Sequence, residues 1–176
     1  MGEVKEPKPV KLFVGLLTAT LSLLPHIRSS LESDFGPVEL ESRLIDFDFT
    51  RYYEPEMGSG LKRQFWGFQN LIVPGELPEI KLMTNELEKA SAVEGRRLVN
   101  LDPGYLAAAK VVLATTKDFA HRLYLGQGIY GEITLLFRHG RFEPLPWTYP
   151  DYRSEEYYPF FYDLRKLYLS QLQNLD

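Results

Sequence analysis

Residues 11–18 read KLFVGLLT, a nearly continuous apolar run of strand length. A run with so few polar positions is typical of a strand that is covered on both faces, so we place it at the centre of a sheet. The next segment lies between Ser22 and Gly36 and carries Ile27 and Leu31 on one helical face. This spacing predicts an amphipathic helix that returns over the sheet.

Extended segments and a second helix alternate beyond this unit. The pattern predicts strands over 38–49, 61–72 and 97–102, a loop over 55–60, a helix over 78–91 and a turn at Pro103-Gly104. The order βαββαβ is the ferredoxin-like arrangement, an antiparallel sheet with its helices on one face. Short strands between residues 111 and 145 predict a C-terminal β-meander, and the stripe after Ser154 predicts a terminal helix. We therefore expect an α+β fold.

The length and composition are typical of one globular domain. The chain has 176 residues, of which 44% are hydrophobic and 25% charged, and this length is typical of a single domain. We take residues 1–10 as a flexible N-terminal tail and residues 11–176 as the domain. The net charge of −4 argues against a nucleic-acid partner. The apolar stretch 12–24 is too short to span a bilayer, so we expect a cytoplasmic protein without a membrane partner.

The residues that are absent limit the chemistry. The chain has no cysteine, which excludes cysteine-ligated zinc, iron-sulfur clusters and thiol nucleophiles. It also lacks a G-x-x-x-x-G-K-[ST] motif, so there is no P-loop nucleotide site. Because there are only three histidines, any metal site depends on carboxylates, and this favours Mg or Mn.

The sharpest candidate site is the stretch LIDFDFT, residues 44–50, where Asp46 and Asp48 share one face of a predicted strand. A hydrophobic strand that ends in D-x-D-x-T resembles the first motif of haloacid-dehalogenase-like phosphatases. That resemblance implies a nucleophile at Asp46, a general acid at Asp48 and a bound magnesium ion, but the late acidic pair of those enzymes has no counterpart here. The alternative is that both acids face water.

Other candidate residues follow in loops and short strands. Arg51 and Tyr52 lie in the glycine-flanked loop after the two acids, and such loops commonly carry function. His121 is a candidate acid-base group, and Arg122 beside it is a candidate anion-binding residue. Packing is the alternative interpretation for each.

Asp102 in the stretch NLDPGY, with Lys110 beyond it, is a further pair of candidate ligand-binding residues, although Asp before Pro-Gly is first of all a turn signal. In a plain ferredoxin-like sheet the fourth strand lies three strand spacings, about 14 Å, from the second. We therefore expect Asp102 not to share one site with Asp46 and Asp48.

Four stretches, KLFVGLL, DFDFTRYYEPEMG, NLDPGYL and PWTYPDYR, resemble an uncharacterised prokaryotic family of single-domain proteins, classed as a domain of unknown function. The resemblance implies no established activity and no catalytic residues. From the residues alone we expect a small enzyme or ligand-binding protein that holds an anionic, for example phosphorylated, ligand. Asp46 and Asp48 would bind a divalent cation in it, and an enzyme of this kind would be a metal-dependent hydrolase or transferase.

The alternative function is a non-enzymatic interaction module, which would use the aromatic C-terminal region to contact a protein partner or a second copy of the chain. Six tyrosines lie between residues 149 and 168. Tyrosine suits interfaces because its ring is apolar and its hydroxyl is polar.

Overall fold

The computed structural model describes residues 2–175. The strands are β1 (Val10–Thr18), β2 (Val38–Glu41), β3 (Ile45–Asp46), β4 (Lys62–Ile72), β5 (Val99–Ala107), β6 (Lys110–Thr115), β7 (Leu123–Gly126), β8 (Ile129–Arg138) and β9 (Arg141–Pro144). The helices are α1 (Leu24–Phe35), α2 (Glu54–Met57), α3 (Leu77–Ala90) and α4 (Tyr158–Gln173). Among the described residues, no helix is long and apolar enough to cross a membrane.

All nine strands belong to one antiparallel sheet. Its main order is β2-β4-β1-β5-β6-β8-β7, with β3 paired to β4 and β9 paired to β8. The strand β1 lies between β4 and β5, as expected for a run that is apolar at nearly every position. The mixture of helices with an antiparallel sheet confirms the α+β class.

Helices cover both faces of the sheet. On one face, which we call the α3 face, α1 and α3 pack on alternate side chains of the central strands, among them Leu12, Trp66 and Leu101. On the opposite face, the α4 face, α4 packs on the other set, which includes Phe13 and Phe65. Each central strand is thus buried on both sides.

The aromatic C-terminal region is mainly part of this core. Three of its tyrosines, Tyr152, Tyr157 and Tyr168, are buried against the sheet. Tyr149 and Tyr162 remain more than a third exposed. Most of the tyrosine signal in the sequence therefore reflects the packing of α4 and of the segment before it.

The two halves of the sheet separate between β5 and β6. These strands pair only from Gly104↔Leu113 to Ala107↔Lys110, so residues 99–103 of β5 have β1 as their neighbour on one side only. At Gly104 a Cβ atom would lie 2.5 Å from the Val112 carbonyl oxygen, so the strands meet closely there. Beyond this point they separate, and α3 lies beside the gap.

The predicted turn at Pro103-Gly104 is wrong, because β5 continues through both residues. Pro103 has no N–H group, but residues i and i+2 of a strand point their N–H groups to the same side. The Leu101 N–H points away from β1 and donates to Glu88. The missing donor of Pro103 therefore faces the gap, where no strand needs it. The predicted loop 55–60 also differs, since its first part belongs to the short helix α2.

Candidate functional site

The gap between β5 and β6 opens into a cavity with a volume of about 540 Å³. We call it the split cavity. Seven parts of the chain line it: the loop 47–53, β4, α3, residues 97–102, residues 113–117, Glu132 in β8, and the segment 149–152. Its volume falls within the range of about 300–1,000 Å³ that is typical of small-molecule sites.

Arg63 forms the floor of the split cavity. Its side chain is 3% exposed, and it donates to Asp102 Oδ2 at 3.1 Å and to Asp151 Oδ2 at 3.2 Å. Tyr157 also donates its hydroxyl to Asp151 Oδ2 at 3.3 Å. The guanidinium lies over the ring of Phe47, 5.3 Å from its centroid. One buried cation therefore holds two carboxylates from different parts of the chain.

The two carboxyls of this floor have opposite pKa shifts. Burial opposes ionisation of Asp102, but the charges of Arg63 and Lys81 outweigh it and lower its pKa. Burial raises the pKa of Asp151, and the attraction of Arg63 offsets this only in part, while the charge of Asp102 adds to it. The difference follows from the neighbours, because Asp102 has a second cation nearby and a hydrogen bond from Asn100.

Polar side chains of α3 reach the cavity through the gap in the sheet. Lys81 donates to the Leu101 carbonyl oxygen at 2.8 Å. Glu88 accepts the Leu101 N–H and a bond from Arg97 at 3.2 Å. Burial raises the pKa of Glu88, and the charge of Lys81 and the Leu101 N–H offset this only in part. Residues on this helix thus take the place of the strand that β5 lacks.

The loop 47–53 and the segment 149–152 form the mouth of the cavity. Phe49, Tyr52 and Tyr149 line it and are 36%, 66% and 40% exposed. Lys117 lies 5.3 Å from the centroid of the Tyr52 ring. Burial raises the pKa of Tyr53, deeper in the same loop, to about 12. The mouth therefore presents aromatic rings and one exposed cation around a polar floor.

An ion pair joins α2, the short helix after the mouth loop, to Arg97 just before β5. Glu56 in α2 accepts two bonds from Arg97, both of 2.8 Å. This pairing raises the pKa of Arg97 and lowers that of Glu56. The short helix after the loop is thereby held beside the cavity.

A second cluster adjoins the cavity on the β8 side. Glu132 lines the cavity and is buried, and it accepts bonds of 2.9 Å from both His121 and Arg122. Arg122 also donates to the Tyr149 hydroxyl at 2.7 Å. The ring of Trp147 stacks on His121 at 5.1 Å. The predicted pair His121-Arg122 is thus joined to the cavity wall through Glu132 and Tyr149, although neither residue lines the cavity.

The acids predicted from the D-x-D-x-T stretch lie outside the cavity. The Asp46 side chain is 83% exposed and pairs with Lys62, which is its neighbour across the β3–β4 ladder. Asp48 is exposed, whereas Phe47 and Phe49 line the cavity. The alternation of the stretch therefore turns its rings inward and its acids outward.

The remaining predicted residues divide between the cavity and the surface. Asp102 and Tyr52 line the cavity. Arg51 lies in the mouth loop 47–53 and is exposed, but it does not line the cavity, and Lys110 begins β6 at the end opposite Thr115. Within residues 2–175 no three His, Cys, Asp or Glu side chains are grouped so that they could hold a metal ion. A cation at Asp46 and Asp48 therefore stays a prediction.

Sequence reasoning missed most of the cavity floor, namely Arg63, Lys81, Glu88 and Asp151. One local signal was present, because Lys81, Thr84 and Glu88 lie at helical spacing on the buried face of α3. Polar residues on the face that packs against a sheet are uncommon without partners. No comparable local signal marks Asp151, since it reaches Arg63 from 88 residues away.

Comparison with known proteins places the chain in a family. A family model described as a domain of unknown function (DUF4416) matches residues 8–168. The chain belongs to the DUF4416 family. The match spans all nine strands and every residue of the split cavity, so the site lies within the DUF4416 domain. No curated protein and no solved structure matches the chain significantly. The description of the DUF4416 family gives no activity.

Proposed function

We propose that the split cavity binds a small organic anion that carries a ring. The observation that carries this proposal is the combination, in one cavity of about 540 Å³, of aromatic rings at the mouth with cations that have no carboxylate partner. Small-molecule sites typically combine apolar walls with a few convergent polar groups.

The charges of the cavity support an anionic ligand. Four cations and four acids line it, but they are not paired one to one. Arg63 and Arg97 are held by carboxylates, whereas Lys81 and Lys117 have no carboxylate within 4.0 Å among the described residues. Burial raises the pKa of both Glu88 and Asp151, so each acid binds a proton more readily than an exposed carboxyl group does. An anion near either lysine would gain attraction without displacing an existing ion pair.

The rings of the mouth support a ligand with a flat or ring-shaped part. Tyr52 and Tyr149 keep large exposed fractions although each lies beside other aromatic or charged groups. Exposed aromatic surface costs free energy that ligand binding recovers. Tyr52 also has a T-shaped contact with Tyr53, with the ring centroids 5.0 Å apart.

We also propose that the order β2-β4-β1-β5, with α1 and α3 on one face, is a ferredoxin-like unit to which β6–β9 and α4 are added. The support is the antiparallel pairing of these four strands in that order. In this arrangement the split cavity lies where the unit meets its extension.

The test is isothermal titration calorimetry with phenyl phosphate, a ring that carries a phosphate group. We expect saturable binding at one site, weakened at least fivefold by Lys117→Ala and by Tyr52→Ala. Lys166→Ala on the surface of α4 and Tyr124→Ala on β7 are matched controls, because both residues are exposed and outside the cavity. No binding, or equal losses in the controls, would refute the proposal.

Two further arms extend this experiment to the predicted chemistry. Titration with and without magnesium, in wild type and in Asp46→Asn, tests the predicted cation. Incubation with p-nitrophenyl phosphate tests hydrolysis, because cleavage releases coloured nitrophenolate. Binding without release would indicate a ligand-binding protein, and magnesium-dependent release that Asp46→Asn abolishes would support a metal-dependent hydrolase.

A further inference from the structure

The floor of the split cavity contains polar atoms without partners. Among the described residues, four buried side-chain nitrogen or oxygen atoms lack a hydrogen-bond partner, and two of them, Arg63 Nε and the Tyr152 hydroxyl, belong to residues that line this cavity. Arg63 and Tyr152 are 3% and 2% exposed. Buried polar groups are almost always satisfied in folded proteins, so two such donors in one floor require an explanation.

An acceptor accompanies these donors. Asp102 binds Arg63 through Oδ2 only, and its Oδ1 atom accepts no hydrogen bond from any residue between 2 and 175. This Oδ1 atom is not among the fully buried atoms without a partner, so it remains accessible. The floor thus offers two donors without partners and one free carboxylate oxygen around Arg63.

Gly15 leaves room for this arrangement. A Cβ atom at this position of β1 would lie 3.3 Å from the Tyr152 hydroxyl and 3.4 Å from Arg63 Nη1. The distances place the hydroxyl and the guanidinium on the same side of β1, around one glycine. The free donors therefore belong to one site and are not separate packing defects.

We propose that this floor recognises adjacent hydroxyl groups, and that the ligand of the split cavity is a sugar phosphate. The inference rests on the proposed anion site at the mouth and names the ligand class for it. A hydroxyl both donates and accepts, so it satisfies a free donor and a carboxylate oxygen together. The sugar ring would lie between the floor and the aromatic mouth, with the phosphate towards Lys117.

Other groups fit this floor less well. A second anionic group would meet Asp102 and Asp151, and a metal cation would meet Arg63 and Lys81. An apolar group would leave both donors and the free oxygen of Asp102 without partners, which costs free energy for each of them. Neighbouring hydroxyl groups avoid all three penalties.

The test compares matched pairs of sugar phosphates by calorimetry. Ribose 5-phosphate is measured against 2-deoxyribose 5-phosphate, and glucose 6-phosphate against 2-deoxyglucose 6-phosphate, so that each pair differs by one hydroxyl. The variant is Tyr152→Phe, which removes only a hydroxyl without a protein partner and keeps the buried ring. Thermal unfolding of this variant should match wild type, so a binding effect cannot be a folding defect.

We expect wild type to prefer the fully hydroxylated member of at least one pair by about tenfold, in line with one hydrogen bond to a buried polar group. Tyr152→Phe should reduce that preference at least threefold, whereas Lys166→Ala, exposed on α4 and outside the cavity, should leave it unchanged. Equal affinities in both pairs, or a preference that Tyr152→Phe does not change, would overturn the inference while phenyl phosphate still binds. If wild type does not bind phenyl phosphate, the proposed anion site itself is refuted.

Discussion

Replacing Arg63 with methionine should destabilise the fold more than any single surface change, because Arg63 pairs with both floor carboxylates. The substitution keeps an unbranched apolar side chain near Phe47 and Phe65, which both lie under the guanidinium. It leaves Asp102 and Asp151 buried without their cation. Removing one partner of a buried ion pair typically costs about 3–5 kcal/mol.

This cost converts into a large change in melting temperature. At about 2–4 °C per kcal/mol for a domain of this size, Arg63→Met should lower Tm by about 6–20 °C. The assays are thermal unfolding followed by circular dichroism and urea unfolding followed by tryptophan fluorescence. The triple variant Arg63→Met/Asp102→Asn/Asp151→Asn should recover at least half of the loss, because it removes the buried charges that Arg63 neutralises.

The loss should also depend on pH. Because the folded pKa of Asp102 is lowered, its ionisation stabilises the wild-type fold above the unfolded pKa of about 3.9, and this contribution disappears as the pH falls through the folded value. Arg63→Met removes the main cause of that shift. The difference in the free energy of unfolding between wild type and Arg63→Met should therefore become smaller below about pH 4. A loss under 1 kcal/mol at pH 7, or a triple variant less stable than Arg63→Met, would refute the ion-pair account of the floor.

Three further predictions concern the mouth, the charge of the cavity and the sheet. Glu56→Gln weakens the bidentate pair with Arg97 and should lower the free energy of unfolding by at most about 1 kcal/mol, since the pair is partly exposed. Amide hydrogen exchange over residues 50–58 should become faster, and unchanged exchange would contradict the anchoring role of this pair. Binding of benzenesulfonate, whose charge is constant, should strengthen as the pH falls, because burial raises the pKa of Glu88 and the protonated acid no longer repels an anion. Glu88→Gln should flatten this pH profile in calorimetry, and a profile that Glu88→Gln leaves unaltered would argue against the role of Glu88. Gly104→Ala should lower the free energy of unfolding in urea by about 1–3 kcal/mol, because the added methyl group overpacks against the backbone of the neighbouring strand. Gly75→Ala, with no atom within 4 Å of its Cβ position, should change stability little. Equal effects of the two variants would disprove the close approach of β5 and β6.

The sequence predicted the elements whose pattern is local. The apolar run 11–18 is the central strand β1, and the helical spacing of Ile27 and Leu31 corresponds to their burial in α1. Pro103-Gly104 misled the prediction, because a turn signal cannot show that the adjacent strand position lacks a partner. That information is tertiary, since it depends on β6 diverging from β5.

The same distinction explains the site. Asp102 and Tyr52 were recognisable as residues in loop-like, functional stretches, and both line the split cavity. Asp46 and Asp48 followed the most specific local motif, yet strand alternation turns them to the surface. Arg63 and Asp151 are 88 residues apart, and only the packed sheet shows that they meet.

Geometry also links the fold to the proposed chemistry. In a continuous sheet the backbones of β5 and β6 would be hydrogen-bonded along their whole length and would leave no space between them. The early end of β5–β6 pairing opens a gap, α3 fills its edge with Lys81 and Glu88, and the loop 47–53 lines its mouth. The cavity is thus a direct consequence of where the sheet divides.

The most direct test of the split cavity as an anion site is a nuclear magnetic resonance titration of ¹⁵N-labelled protein with phenyl phosphate. We expect saturable changes in amide chemical shift that are concentrated at residues 115–117, at Tyr52 and Tyr53 and around Asp102, with the surface of α4 unaffected. An absence of saturable shifts, or shifts concentrated away from these residues, would contradict it.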